Sequence, residues 1–566
     1  MNRNLKKVIS LVLCALMILP LALPAAAAGK PTKMMCDDPV IYIAGDSGDI
    51  YYENDTKTFR IDDLFSSDSG EDSSDKIWEA VANITLPFIL EGIAFDKWDN
   101  YYAAVEKEIG DLFAAIRLDG NGNVPEGSDS GIGKEAEKKN AISMTTDRSP
   151  GGKYDERAYY FYYDWRLDPN EIADQLNEFI NGVCTSTGRE RVSLTCKCLG
   201  TNVALAYINK YGCDKIKGFG IDVATSKGSE FISGAISGDF GIDGHALARF
   251  LKDMEFYYGF SLSPIVGSTI ELLANTGVLD TLTNVAREQL YAKIEYGIIS
   301  AIATSTFMTF PSYWALVSVE DFEDGLVYAF GEKGSAKREQ YAGLIEKITN
   351  YNENVKKNID DIILSTKVPS AKDGKTVNLC IVSKYGTQLV PIVEDGSVLG
   401  DTFVSVKHSS FGATTSTVYD TLSDEYIKQR KAENKGKYIS PDKKIDASTC
   451  LFPEYTWFVK GCKHSTYTPE EIKLILTVID AKEQLTVNDF DWSQFIIYTP
   501  SADDSKGEWG TFSKMTTENC NIEKWEANSE LEKPQTKQER IFTLIASLLK
   551  WLTTIIVLIT ELVGTK

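Results

Sequence analysis

Short apolar runs alternate with stretches of helical spacing along much of the chain. Residues 38–45 read as a buried strand that ends in a glycine turn, and residues 159–163 as an aromatic strand. A helix is expected over 170–183, where Ile172, Leu176, Phe179 and Ile180 share one face. The apolar run 191–194 then leads into helical spacing over 201–208, and another strand is expected at 215–223. Strands and helices alternating at this spacing predict a parallel sheet covered on both faces. The rhythm resumes with strands at 376–382 and 455–460. In between, segments such as 247–258, 266–276 and 283–303 are helical in pattern, so residues 229–370 read as a helical insertion. Two more helices are expected at 78–95 and 101–116, a polar loop over 118–152, and an irregular, partly β insertion over 389–437.

Both ends have a different character. Arg3, Lys6 and Lys7 precede an apolar stretch over 8–23, and small residues follow at 25–28, the pattern of a cleaved secretory leader over 1–28. Residues 501–540 are polar and linker-like. The segment 541–563 is apolar but broken by Lys550, which leaves it short of the roughly 20 residues that span a bilayer. It reads as an apolar or amphipathic C-terminal helix that lies on a membrane surface or pairs with another helix.

Charge and cysteine usage narrow the classes. A net charge of −22 with an export leader argues against nucleic acid, which needs clustered Lys and Arg. Hydrophobic residues make up 43% of the chain, enough to fill a large core. Of ten cysteines, Cys14 lies in the leader, so an odd number remains. Outside the cell disulfides are the default, yet at least one thiol must stay unpaired. Three histidines and no Cys-x-x-Cys pair make a zinc site improbable. Asp119, Asn121 and Asn123 open like a calcium loop, but the required glycine is missing and Ser130 stands where the closing glutamate belongs. No metal and no cofactor is expected.

The candidate chemistry lies at Cys196, Lys197, Cys198, Leu199, Gly200, between the expected strand and the expected helix. This is the setting of a nucleophile elbow, G-x-S-x-G, with Cys196 in place of the first glycine, Cys198 in place of serine and Gly200 as the second glycine. Taken alone, the motif is weak and a buried structural cysteine explains it better. Further segments in order along the chain are 39–45, then Tyr163, Asp164, Trp165, Arg166, Leu167, then Thr309 to Trp314, then Tyr385, Gly386, Thr387.

With the elbow, these segments resemble the lecithin:cholesterol acyltransferase and phospholipid:diacylglycerol acyltransferase branch of the α/β-hydrolases. The resemblance implies an α/β-hydrolase fold, a mostly parallel doubly wound sheet, with core segments at 29–228 and 371–500 and a helical cap or lid over 229–370. It also implies an acid and then a histidine after the last strands. The acid is placed at Asp442, in a turn like the family's, and the base at His464, the one histidine that follows an expected sheet strand. Leu199, Gly45 and Asp46 would supply backbone N–H groups to an oxyanion hole. Lys197 and the helix start would favour the thiolate. Trp165 and Arg166 read as structural. The implied function is an exported lipid ester hydrolase or O-acyltransferase that forms an acyl-enzyme on Cys198, His464 and Asp442, acting on an acyl ester or phospholipid. The alternative is an inactive surface protein of the same fold that binds lipid or protein, because serine has become cysteine.

Overall fold

The computed structural model describes residues 36, 38–45, 50–51, 57–59, 83, 87, 99–113, 116–125, 158–239, 306–389, 397–462, 464, 468–499 and 511–520. The leader, the helical segments expected at 247–258, 266–276 and 283–303, and the tail at 541–563 lie outside them. So does nearly all of 78–95.

The central feature is an eight-stranded sheet. Its strands in chain order are β1 (Val40–Ile43), β2 (Ala158–Phe161), β3 (Val192–Lys197), β4 (Ile216–Asp222), β5 (Asn378–Tyr385), β6 (Thr456–Lys460), β7 (Phe495–Thr499) and β8 (Thr511–Lys514). In space the order is β8-β7-β6-β5-β4-β3-β1-β2. Every pairing is parallel except β7 with β8. The fold class is therefore α/β, with a mostly parallel sheet and helices around it. Buried strands need no alternation, and β5 is buried at every residue, which is why its sequence reads as a continuous run.

The helices have local reasons to start where they do. Asp168 caps α1 (Pro169–Thr187) by accepting the Asn170 N–H, proline stands in the first turn, and Gly188 ends the helix in the left-handed conformation. Helix α2 (Leu199–Tyr211) begins immediately after Cys198 and is buried from Leu199 to Ile208. Thr468 caps α4 (Pro469–Asp480), with α3 (Ala342–Asn354) earlier in the chain. Helix α4 lies almost on the backbone of β4. A Cβ on Gly218 would stand 2.3 Å from the Ile479 carbonyl oxygen, and one on Gly220 2.4 Å from Ile475 Cγ2. Two glycines on one strand face make that close approach possible.

Two expectations are revised. Residues 306–365 are helical as expected, but they belong to the same apolar core as α2: Phe310, Tyr313, Trp314, Leu344 and Ile363 cluster with Val203 and Leu205. Residues 240–305 of the expected cap lie outside the described residues. The stretch read as linker carries β8, and Met515 and Cys520 beyond it are buried against β6 and β7. An antiparallel edge strand with three of four residues exposed and the fourth half-buried has little apolar signal, so its sequence reads as polar linker. Among the described residues no helix is long and apolar enough to cross a membrane.

Candidate active site

Cys198 and His464 each follow the carboxyl end of a parallel strand, the edge where open α/β sheets place their ligands. Strand β3 ends at Lys197 and α2 starts at Leu199, so the chain must reverse within one residue. That residue is Cys198, with φ 50° and ψ −125°. A non-glycine residue in this region is strained, and such strain gathers at functional sites. Val223, directly after β4, and Thr402 also have positive φ, at 46° and 84°. Both are β-branched and poorly suited to it.

The two ends of the elbow motif differ in how much room they leave. A Cβ on Gly200 would meet the Ile43 and Ala44 carbonyl oxygens at 2.4 and 2.6 Å. Glycine is required there by backbone, which cannot yield as a flexible side chain can. Cys196 is tolerated at the other end because its Sγ fits beside the Gly220 oxygen at 3.4 Å and Thr201 Oγ1 at 3.6 Å. Burial pushes its thiol up to about 12, so it stays protonated and structural. Gly200→Ala is expected to destabilise the protein by about 2–3 kcal/mol and to abolish labelling at Cys198, whereas Cys196→Ala should leave labelling intact. Urea unfolding and iodoacetamide labelling read both effects, and an unstrained Gly200→Ala variant would contradict the geometry.

Gly45 faces the elbow from β1. A Cβ there would be 3.1 Å from Cys198 Cβ and 3.7 Å from its Sγ. The expected oxyanion residues Gly45 and Leu199 therefore both adjoin Cys198, while Asp46 lies outside the described residues.

His464 follows β6 by four residues, beyond a turn at Gly461 whose φ is 83°. The ring is buried and packs on Phe403, with centroids 5.0 Å apart. Its Nδ1 lies 2.7 Å from Asp401 Oδ2, and its Nε2 is buried without a hydrogen-bond partner. A carboxylate on Nδ1 makes that nitrogen the donor and leaves Nε2 as the base.

The acid on His464 is therefore Asp401, and the expectation of Asp442 is corrected. Asp442 is occupied elsewhere: Ser440 and Tyr385 donate hydroxyls to it at 2.6 and 3.1 Å, and the Lys460 ammonium is 3.3 Å away. Asp446 is not on His464 either, since it accepts from Tyr426 at 2.8 Å and pairs with Arg430 at 2.8 Å. Asp401 is built for the role by its own turn. Its Oδ1 accepts the N–H groups of Phe403 and Val404 at 3.1 and 2.9 Å, which leaves Oδ2 aimed at the imidazole. The sequence signal was modest: a Gly-Asp-Thr turn between the apolar pairs Val398-Leu399 and Phe403-Val404.

Lys197 is also corrected. Its ammonium lies 3.4 Å from Asp222 Oδ2, in a buried cluster where Lys384 Nζ is 2.9 Å from both Asp222 and Glu471. Burial, and then the neighbouring Lys384 charge, push the Lys197 pKa down, and the ammonium is paired with Asp222. Trp165 and Arg166 are structural, as expected. Trp165 stacks on Tyr313 with centroids 5.9 Å apart, and the buried Arg166 grips Asp164 through two nitrogens at 2.9 and 2.6 Å. The Trp165–Tyr313 contact joins two of the singled-out segments. Asp119 receives the N–H groups of Asn121 and Asn123 on Oδ1, so the calcium-like start is a turn that caps its own backbone. The thiols of Cys184, Cys196, Cys213, Cys380, Cys450 and Cys462 carry no disulfide, contrary to the default expected outside the cell.

No family model matches this chain, and no curated protein does. Among solved structures it is similar to a chain of the Tle4–Tli4 complex at 13% identity, covering 62% of this chain and 75% of that one, with a TM-score of 0.24. A likeness that slight carries no statement about function, which must come from the site itself.

Proposed function

We propose that the protein is an exported acyl ester hydrolase or acyltransferase of α/β-hydrolase type, with Cys198 as nucleophile, His464 as base and Asp401 as the acid that orients it. One observation carries the reading: a buried His464–Asp401 pair with an unpartnered Nε2, at the sheet edge where Cys198 occupies a strained strand-to-helix turn.

The chemistry follows from the groups. Nε2 accepts the Cys198 proton, and the sulfur attacks the ester carbonyl. The carbonyl electron pair moves onto oxygen, where the N–H groups near Leu199 and Gly45 would receive it. As the pair returns, the alcohol leaves with the proton held by His464, and the acyl group stays on sulfur as a thioester. Water, an alcohol or an amine then takes the acyl group while Nε2 removes its proton. The substrate proposed is a lipid acyl ester, with 541–563 touching the membrane that supplies it.

Intact mass spectrometry after incubation with p-nitrophenyl butyrate tests this directly. The expected result is one butyryl adduct per chain, located on Cys198 and absent in Cys198→Ala. A native chain that labels with iodoacetamide at Cys198 no faster than at buried Cys196, and takes no acyl group, would instead be a binding protein on this fold.

A further inference from the structure

Strand β1 lies between β2 and β3, and the two registers have a joint consequence. Ile43 pairs with Phe161 on one side and with Cys196 on the other. Two residues on, Gly45 is flanked by Tyr163 on the β2 side and by Cys198 on the β3 side. The side chains follow the register. Tyr163 is buried, and its hydroxyl donates to the Ala44 carbonyl oxygen, with the Gly45 carbonyl oxygen 3.2 Å away. On the opposite flank, the Cβ position of Gly45 stands 3.7 Å from Cys198 Sγ.

A phenol has one proton, so the two carbonyls share it in a three-centre arrangement. In a trans peptide the N–H points opposite the C=O of the same plane, and no cis bond occurs among the described residues. Holding the Ala44 carbonyl on the phenol's side therefore sends the N–H of the same plane, that of Gly45, to the other flank, where Cys198 lies. Gly45 has no side chain, and Gly200, which packs under the Ala44 carbonyl, supplies only backbone.

We propose that Tyr163 is a positioning residue for the oxyanion hole: its hydroxyl fixes the Ala44–Gly45 peptide so that its N–H, that of Gly45, meets the oxygen of the acylating substrate. This deepens the thiol-acylation reading and rests on it. Tyr163 touches neither substrate nor the reacting sulfur in this role. It acts through backbone whose direction must be set before the charge develops, since preorganised donors cost no reorientation during the reaction.

Two reactions of the same thiol separate this role from a structural one. Acylation by p-nitrophenyl butyrate forms the S–C bond while the carbonyl pair moves onto oxygen, then returns that pair and expels p-nitrophenolate. It needs an oxyanion hole. Alkylation by iodoacetamide forms the S–C bond as iodide leaves with its electron pair, and no oxyanion arises. Tyr163→Phe removes one hydroxyl and keeps the ring that stacks on Phe161 at 5.5 Å. In the full chain the variant should acylate slower by roughly tenfold or more, with KM little changed. Its alkylation rate at Cys198 should stay within about twofold of the native chain. Equal loss of both rates would make the hydroxyl a support of the whole elbow and overturn the proposal, as would no loss of either. A native chain that alkylates at Cys198 without acylating would also overturn it while leaving the thiol reactive. If Cys198 reacts with neither reagent, the nucleophile reading fails, and the role of Tyr163 with it.

Discussion

Asp401→Asn is expected to lower kcat/KM for p-nitrophenyl butyrate on the order of 10³-fold, while Asp442→Asn leaves it within a few-fold. Both changes are isosteric, so volume and packing are preserved. The difference lies in what each carboxylate holds. Asp401 receives His464 Nδ1 at 2.7 Å and is itself tied to two backbone N–H groups, so an amide there can turn its NH2 toward the imidazole and drive the proton onto Nε2. Nε2 then has no lone pair for the Cys198 proton, and the imidazolium loses its counter-charge. Asp442 faces Ser440, Tyr385 and Lys460, so its loss is felt as stability. Steady-state kinetics of the two variants decide the matter. Loss of activity in Asp442→Asn with Asp401→Asn near native would return the acid to the position first expected from the sequence.

The second large effect concerns the buried cluster of Asp222, Lys384, Glu471 and Lys197. Lys384→Met should cost about 3–5 kcal/mol, because it leaves the buried Asp222 carboxylate without its nearest cation. The pH dependence is equally definite. Burial, reinforced by the Asp222 charge, raises Glu471 to about 8 from an ordinary 4.5. Below 4.5 native and unfolded chains both hold this proton, and its contribution to stability is full. Between 4.5 and 8 the unfolded chain releases it and the native chain does not, so stability falls through that window. Asp222 has the opposite sign. Burial opposes its ionisation, but the Lys384 and Lys197 ammonium groups outweigh burial and hold it below its ordinary 3.8, so its contribution is lost as the pH falls below that value. The cluster thus favours the native state most near pH 4–5 and progressively less toward pH 8. In Glu471→Gln, Tm should change less between pH 5 and 8 than in the native chain. A steeper fall in that variant, measured by thermal melts across the window, would show that Glu471 is not where the native proton is held.

Much of this protein is decided by order along the chain. The apolar runs at 38–45, 159–163, 191–194, 215–223, 376–382 and 455–460 have no choice but to be strands, and the helical spacing between them forces parallel crossovers. The strand-to-helix setting of Cys198 is equally legible, as is the place of His464, the one histidine beyond an expected sheet strand. Three things required the folded chain. Asp401 and Asp442 are both aspartates in turns after β5, and only the packing of residues 397–406 against His464 separates the orienting carboxylate from the salt-bridged one. Lys197 sits beside Cys198 in sequence, yet buried Asp222 claims its ammonium, because a charge below the sheet edge must find a partner. Strand β8 has no apolar signature, since an exposed edge strand is held by backbone pairing to β7 and buries little of its own. Local pattern reports what a residue must bury. Which of several polar groups a buried charge or imidazole meets depends on long-range geometry that local pattern does not encode.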